Sequence, residues 1–310
     1  MNEEMNVEYL GKSPDGHSED TSRSATIPLE SPTTDPFSNT RDSRFYFGSA
    51  THETALLQLR ALLDDGNQGW GSLRSETGLG KTLLRTLLHK SLDPQRFVGI
   101  SIETSLLNFD ELMLEIISQI SGERVYSAEF PDRYSRLSEF KLLLTERVVH
   151  AGRHLVILLD EAHGLDGDTL DGLRNLSNIG AEQCNLMSFI LIGNSKFESR
   201  LRRMPELGPR IAVWSSLTAL DAQQTRAYVQ HRLNVAGCEQ TAMFAQSSWD
   251  RLQQVSGGVP REINRILKHT MGLAQISGEG LSDTALSEAL TTLSSPDSVQ
   301  NPEFHSLGMS

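Results

Sequence analysis

The sequence is short of several features, and each shortage excludes a class of protein. It holds two cysteines, Cys184 and Cys238, in 310 residues, too few for a disulfide framework and without the paired spacing of a zinc site. Such usage is typical of the reducing cytoplasm, where we expect the protein to act. The longest apolar run, Leu155 to Leu159, is far below the roughly 20 residues of a membrane-spanning helix. We therefore expect no membrane span, and the sequence shows no secretory signal at its start.

Basic residues are also scarce. The sequence has 28 lysines and arginines against 40 acidic residues, which gives a formal net charge of −12. Proteins that bind nucleic acid over a broad surface present basic side chains to the phosphates. The charge balance therefore counts against a uniformly DNA-attracting surface and leaves a local basic patch as the alternative.

Both ends of the sequence lack large apolar residues. Residues 1–34 are rich in Ser, Thr, Asp, Glu and Pro, and residues 295–310 return to Ser, Pro and Asn. Segments of this composition bury too little apolar surface to offset the entropy lost on ordering. We predict disordered tails at residues 1–34 and 295–310.

Strand and helix patterns alternate in the first part of the chain between the tails. Leu155 to Leu159 and Phe189 to Ile192 are apolar runs typical of strands buried on both faces of a parallel sheet. Beyond Leu217 the pattern is wholly helical. We predict an α/β domain at residues 35–217, with a parallel sheet flanked by helices, and a small all-helical lid domain at residues 218–294.

A phosphate-binding loop is indicated near residue 80. The pattern for such a loop is glycine, four free residues, then Gly-Lys-Ser/Thr. Gly80, Lys81 and Thr82 match it, whereas Ser75 occupies the first glycine position. Lys81 would reach the β- and γ-phosphates of ATP, and the Thr82 hydroxyl would bind Mg²⁺. The predicted nucleotide-binding residues are Ser75, Glu76, Thr77, Gly78, Leu79, Gly80, Lys81, Thr82 and Leu83.

Polar residues follow two of the predicted strands. Asp160 and Glu161 come directly after the run at Leu155 to Leu159, and Asn194 follows the run at Phe189 to Ile192. Ligands of an open parallel sheet bind beyond the carboxyl ends of its strands. We predict that Asp160 binds Mg²⁺, that Glu161 orients and deprotonates water, and that Asn194 contacts the γ-phosphate or the water. For Asn194 a purely structural role as a turn residue stays open, and His163 is interpreted as a surface or supporting histidine.

Arginines are the second group of candidates. An arginine placed at the γ-phosphate stabilises the charge of the transition state. Arg210 is our candidate for this role, with Arg203 next, although a solvated surface is the alternative for both. Arg261 begins a helix of the predicted lid and is the candidate for contact with the phosphates from that side.

These residues together resemble AAA+ ATPases of the group that contains general secretion pathway protein A (the ExeA-like ATPases) and the TnsC, TniB and MuB transposition ATPases. The resemblance covers roughly residues 35–294. It implies an AAA+ type P-loop fold, ATP-driven self-association and an arginine supplied by a neighbouring subunit. It also implies nucleotide and magnesium binding by Lys81 and Thr82, with Glu161 as catalytic base and Asn194 and Arg261 as sensors. The motifs that carry it are Asp35-Pro36-Phe37, Arg44-Phe45-Tyr46-Phe47 through His52, the phosphate loop, Asp160-Glu161-Ala162-His163, Asn194 and Gly258-Val259-Pro260-Arg261.

The sequence therefore predicts a cytoplasmic, magnesium-dependent ATPase that acts as an assembly or regulatory switch on a protein partner. Two alternatives are kept. One is an ATP-dependent DNA-binding regulator of the transposition type, with DNA as partner. The other is a pseudo-ATPase scaffold, against which the presence of Lys81, Thr82, Asp160 and Glu161 argues.

Overall fold

The computed structural model describes residues 35–40, 42–64, 69–104, 107–180, 185–238, 244–277 and 281–294. The predicted tails at residues 1–34 and 295–310, like Cys184, lie outside these ranges. No helix in the described ranges combines the length and apolar character needed to span a bilayer. The helices and strands, in chain order, are α1 (Ala50–Asp64), β1 (Trp70–Arg74), α2 (Lys81–Lys90), β2 (Phe97–Glu103), α3 (Phe109–Ser121), α4 (Arg133–Leu144), β3 (His154–Asp160), α5 (Gly167–Ser177), β4 (Met187–Gly193), α6 (Ser195–Arg203), β5 (Ile211–Ser216), α7 (Ala222–Val235), α8 (Gln246–Ser256), α9 (Pro260–Ser277) and α10 (Asp283–Ser294).

The five strands form one parallel sheet in the order β2-β3-β4-β1-β5. All residues of β4, and all of β3 except His154, are buried, as their continuous apolar sequences predict. Because β1 and β3 both pair with β4, the residues that follow these three strands meet at one edge. This confirms the predicted parallel sheet flanked by helices. The edge strand β5 was not predicted, although it begins with the four apolar residues Ile211 to Trp214; only Ile211 and Ser215 in it are buried.

Small residues in β1 have a packing reason. A Cβ atom on Gly71 would lie 2.8 Å from Leu62 Cδ2 of α1 and 3.0 Å from Ile190 Cδ1 of β4. The first distance is shorter than side-chain carbons adopt in proteins and the second is tighter than most, so a side chain at position 71 would displace Leu62 and Ile190; α1 lies close to β1. Ser72 is buried and Leu73 is fully buried. The strand that sequence patterns identify only weakly is therefore a central element of the sheet.

Helices α7 to α10 pack around an apolar core of their own. Asp221 caps α7 by accepting a hydrogen bond from the Gln224 backbone N–H, Gly257 ends α8 with a φ of 58°, and Pro260 begins α9. The C-terminal helices are thus confirmed as elements. The domain limits at residues 217 and 218 stay a prediction.

Residues 35–40 and 42–49 form an arm that leads from the C-terminal helices to α1. Phe37 belongs to the core of these helices and is 1% exposed. Arg232 donates from Nε to the Pro36 carbonyl and from Nη2 to the Ser38 carbonyl, both at 2.5 Å. Lys268 pairs with Asp35 at 2.8 Å. The arm is therefore fixed to the helices at one end and to the sheet, through α1, at the other.

Candidate functional site

The phosphate loop takes its curvature from two glycines. Gly78 and Gly80 have φ angles of 87° and 97°, a region that residues with a Cβ atom rarely adopt. A Cβ on Gly78 would lie 2.9 Å from Cβ of Arg261 and 2.9 Å from Cγ1 of Val259, so the loop also lies close to the start of α9. The loop conformation and the position of α9 both depend on this glycine.

Ser75 does not need the freedom of glycine. Among the described residues, Glu161 alone has a positive φ without being glycine. Ser75 is fully buried, and its backbone N–H donates to the Gly193 carbonyl of β4 at 2.8 Å. The first position of the loop therefore continues the sheet, and a serine fits it without backbone strain.

Two cations on α2 face two carboxylates at the end of β3. Lys81 Nζ lies 2.5 Å from Glu161 Oε1, and Arg85 Nη1 lies 3.2 Å from Asp160 Oδ2. Lys81 and Arg85 are four residues apart and therefore lie on the same face of the helix. The structure thus brings the predicted phosphate-binding lysine into contact with the predicted catalytic base.

Asp160 is 3% exposed. Burial raises the pKa of its carboxyl above the ordinary value, and the charge of Arg85 opposes this shift. Thr104 holds the strand end, because its backbone N–H and its hydroxyl both donate to the Asp160 carbonyl at 2.9 Å. The carboxylate is thus held in a position determined by two neighbouring strands and by Arg85.

Glu161 has a left-handed backbone, with a φ of 54°. This conformation costs a residue with a Cβ about 1–2 kcal/mol, and such strain is found preferentially at functional sites. Its Oε2 atom lies 3.2 Å from His163 Nδ1, while Lys81 contacts Oε1. His163, interpreted from the sequence as a surface or supporting residue, therefore lies beside the predicted base.

Asn194 lies at the end of β4 and caps α6. Its Oδ1 atom accepts a hydrogen bond from the Phe197 backbone N–H at 3.0 Å. Next to it, Glu76 Oε1 accepts from the Ser195 N–H at 3.0 Å, and this bond lowers the pKa of Glu76. The turn role left open for Asn194 is thus present in the structure. The sensor role predicted for it is untested.

The three arginine candidates lie in different places. Arg261 lies against the loop, since its backbone N–H donates to the Gly78 carbonyl at 3.2 Å and its side chain is exposed beside the cavity described next. Arg210 precedes β5, and its Nη1 atom donates to Asn178 Oδ1 at 2.8 Å. It lies next to Trp70, the first residue of β1, whereas the phosphate loop follows the other end of this strand. Arg203 is exposed at the end of α6. Arg210 therefore could act only on a nucleotide held by another copy of the chain.

A cavity of about 340 Å³ lies between the phosphate loop, the arm and the C-terminal helices. Its loop end has the two glycines, Lys81, Thr82 and Glu161, and the other end is aromatic. Ser75, Asp160, Asn194 and Arg210 are not among the residues that line it. The lining residues are Asn39, Thr40, Phe45, Tyr46, Phe47, His52, Thr77, Gly78, Leu79, Gly80, Lys81, Thr82, Leu83, Glu161, Leu220, Tyr228, Arg232, Pro260, Arg261 and Asn264.

Several residues of this region were not predicted. Arg85 could have been found, because its spacing of four residues from Lys81 is a helical repeat. Thr104 contacts Asp160 across 56 residues and His52 contacts Leu79 across 27 residues. Contacts of this kind depend on strand order, which no local pattern gives.

The side chains present suit a magnesium nucleotide. The Thr82 hydroxyl and the Asp160 carboxylate are hard oxygen donors of the kind that Mg²⁺ prefers. The two loop glycines have the positive φ angles that let the loop curl, and the N-terminus of α2 follows directly. Lys81 supplies a cation at the same place.

Residues 64–201 match the family of AAA domains. The chain is 32% identical over 239 residues to general secretion pathway protein A of Aeromonas hydrophila, a match that covers 74% of this chain and 41% of that protein. The chain thus spans about two fifths of the length of this relative.

Solved structures show the same fold. The ORC2 protein of Aeropyrum pernix, in ADPNP-ADP complexes, aligns with a TM-score of 0.63 at 16% identity over 83% of this chain and 71% of that chain. Drosophila ORC bound to DNA aligns with a TM-score of 0.59 at 15% identity over 91% of this chain and 72% of that chain. At these identities the likeness concerns the fold alone. Together with the sheet order and the phosphate loop, the matches show that the chain contains an AAA domain with the AAA+ P-loop fold.

Proposed function

We propose that this protein binds ATP with Mg²⁺ and hydrolyses it, and that its nucleotide state serves as an assembly or regulatory switch in the cytoplasm. The observation that carries the proposal is the pairing of Lys81 with Glu161 at the glycine-lined end of the cavity. This ion pair brings a candidate phosphate-binding cation at the start of α2 into contact with a candidate base that follows β3. The match to general secretion pathway protein A suggests a role in secretion, and we propose that the switch acts on a protein partner.

We propose the following roles for the chain's own residues in nucleotide binding and hydrolysis. Lys81 would exchange Glu161 for phosphate oxygens when nucleotide binds, which frees the carboxylate to orient a water molecule and accept its proton. Thr82 and Asp160 would hold Mg²⁺, which neutralises phosphate charge. Asn194 and Arg261 are proposed to contact the γ-phosphate region from the sheet and from α9. The aromatic end of the cavity would accept the base.

The test is the variant Glu161→Gln. It keeps the shape of the side chain and removes the basic carboxylate, so we expect it to bind a fluorescent ATP analogue and to turn over at least about 100-fold more slowly. Glu146→Gln, an exposed substitution outside the cavity, is the matched control and should hydrolyse ATP at the wild-type rate. A wild type that binds ATP without turnover, alone or with DNA, would contradict the enzyme proposal and favour the scaffold alternative.

Self-association is the second part of the proposal. Arg210 lies beside the beginning of β1, and the phosphate loop follows the end of this strand. A catalytic role for Arg210 therefore requires a neighbouring copy of the chain. Light scattering should give a larger particle with ATP and Mg²⁺ than without them. Arg210→Ala should bind nucleotide normally and lose turnover in the assembled state. Wild-type turnover by Arg210→Ala would remove it as the catalytic arginine and make Arg203 the candidate.

A DNA-binding regulator is the second candidate function. Arg202 and Arg203 on α6 and Arg210 in the segment between α6 and β5 are exposed basic side chains on an acidic chain, and Arg202 is paired with Glu198. Among the similar structures is Drosophila ORC bound to DNA. Salt-sensitive DNA binding that requires ATP would support this function, and no binding at 50 mM salt with ATP would exclude it.

A further inference from the structure

His52 joins α1 to the phosphate loop through two hydrogen bonds. Its Nε2 atom lies 2.9 Å from the Leu79 carbonyl oxygen, and its Nδ1 atom lies 2.7 Å from Ser49 Oγ. The residue is 5% exposed. Both ring nitrogens therefore have a partner in a region closed to solvent, and one of the partners belongs to the loop itself.

The partners determine the tautomer of the ring. A carbonyl oxygen only accepts hydrogen bonds, so Nε2 must carry the proton that it donates to Leu79. Burial lowers the pKa of His52, which favours the neutral ring, and Nδ1 then accepts from the Ser49 hydroxyl. Ser49 is 3% exposed. The Leu79 carbonyl thus fixes the tautomer, and the Ser49 hydroxyl, which can donate, satisfies the unprotonated Nδ1 atom.

The bond to Leu79 has a consequence for the next peptide group. Across a planar trans peptide, the Leu79 carbonyl and the Gly80 N–H point in opposite directions. A carbonyl held towards His52 therefore directs the Gly80 N–H away from His52, as part of the row of backbone donors that a phosphate would contact. We propose that His52 is a positioning residue that sets the orientation of the Leu79–Gly80 peptide in the phosphate loop.

His52 also couples the loop to the arm. Its ring meets Tyr46 edge-on, with 6.1 Å between ring centroids, and a Cβ on Gly80 would lie 3.0 Å from its Nε2 atom. Tyr46, His52 and Gly80 all line the same cavity. A ligand that fills the aromatic end and moves the arm therefore shifts the group that holds the loop. The coupling to a ligand rests on the proposed nucleotide function. The role of His52 in orienting the Leu79–Gly80 peptide does not, because its hydrogen bonds are present without a ligand.

The first experiment needs no nucleotide. His52→Phe keeps the ring and its contact with Tyr46 and removes both hydrogen bonds, while His52→Gln retains an N–H donor for Leu79. Hydrogen–deuterium exchange of residues 75–83 should be about tenfold faster in His52→Phe and close to wild type in His52→Gln. Exchange in β4 (Met187–Gly193) should stay unchanged. Unchanged loop exchange, or an equal increase in both segments, would overturn the proposal.

Two further measurements complete the test. Correlation of imidazole nitrogens and protons by NMR in the ligand-free wild type should show neutral His52 with the proton on Nε2; a proton on Nδ1 would contradict the assignment. Fluorescent ADP should bind about tenfold more weakly to His52→Phe than to wild type, with recovery in His52→Gln. A wild type that binds no nucleotide would defeat the proposed function, and the exchange result would still decide the role of His52.

Discussion

At the scale of single residues, Ser75 shows why a departure from a motif need not weaken a site. The first glycine of the loop pattern would be required for a positive φ or for close contact, and Ser75 does not have a positive φ. Its side chain makes a 3.2 Å contact with the adjacent Glu76 carbonyl. The groups that face the cavity come later in the loop. Ser75 is not among the residues that line the cavity, and its predicted role in nucleotide binding stays a prediction.

We predict that Ser75→Gly binds a non-hydrolysable ATP analogue as tightly as wild type or more tightly. Its free energy of unfolding should fall by about 0.5–1 kcal/mol, because glycine has more conformational freedom in the unfolded chain. Calorimetric titration and urea unfolding measure the two quantities. Ser127→Gly, in an exposed turn, is the control for glycine alone. A clearly weaker affinity would show that the Ser75 side chain has a role of its own.

The residues of the site divide into those that sequence can predict and those that it cannot. Lys81, Thr82, Asp160 and Glu161 lie in short patterns or directly after apolar runs, and the structure brings Lys81 and Glu161 into contact. The spacing of four residues between Lys81 and Arg85 is a sequence signal from which Arg85 could have been predicted. No such signal exists for the contact of His52 with Leu79, because the loop reaches His52 only when α1 packs on β1. Roles inferred from the resemblance, such as those of Asn194 and Arg261, stay predictions.

At the scale of elements, the contact between the loop and α9 is the feature with most consequences. The Arg261 backbone N–H donates to the Gly78 carbonyl at 3.2 Å. Leu220, which precedes α7, donates to the Gly258 carbonyl at 2.8 Å. The start of α9 is thus held between the phosphate loop and the first of the C-terminal helices. A change in loop conformation should therefore be transmitted to these helices.

Two glycines allow this coupling to be separated from backbone strain. Gly78 and Gly122 have φ angles of 87° and 80°, but a Cβ on Gly78 meets Arg261 and Val259 at 2.9 Å, whereas a Cβ on Gly122 meets nothing within 4 Å. Both Gly→Ala variants should lose about 1–2 kcal/mol of stability from the left-handed backbone. Gly78→Ala alone should also lose nucleotide affinity and expose α9 to hydrogen exchange. Equal behaviour of the two variants would mean that the loop and α9 are not coupled.

At the scale of the whole molecule, the fold was predictable where local signals were strong. Continuous apolar runs predicted β3 and β4, and residues with strong capping preference, such as Asn108 and Asp221, stand at the starts of α3 and α7. Strand order, the unpredicted β5 and the cavity between arm, loop and helices arise from contacts distant in sequence. The burial of ionisable groups also arises from contacts distant in sequence. Burial therefore cannot be predicted from the sequence alone, yet it determines how the free energy of unfolding depends on pH.

Two histidines should make the fold less stable in mild acid. Burial lowers the pKa of both His52 and His154 below the ordinary histidine value of about 6.5. Between these lowered values and 6.5 the unfolded chain binds more protons than the native protein, so the free energy of unfolding falls as pH decreases below about 6.5. Each histidine changes the free energy of unfolding by at most about 1.4 kcal/mol per pH unit. The raised pKa of Asp160 acts in the opposite direction, because there the native protein binds more protons.

The measurement is urea unfolding between pH 7.5 and 5.5. His154→Gln should reduce the slope of unfolding free energy against pH, and the double variant with His52→Gln should reduce it further, since glutamine does not titrate. Exposed His150→Gln is the matched control and should keep the wild-type slope. A wild type whose stability rises on acidification in this range would mean that the Asp160 carboxyl, rather than the two buried imidazoles, dominates. The pH response would then originate at the predicted magnesium ligand and should disappear in Asp160→Asn.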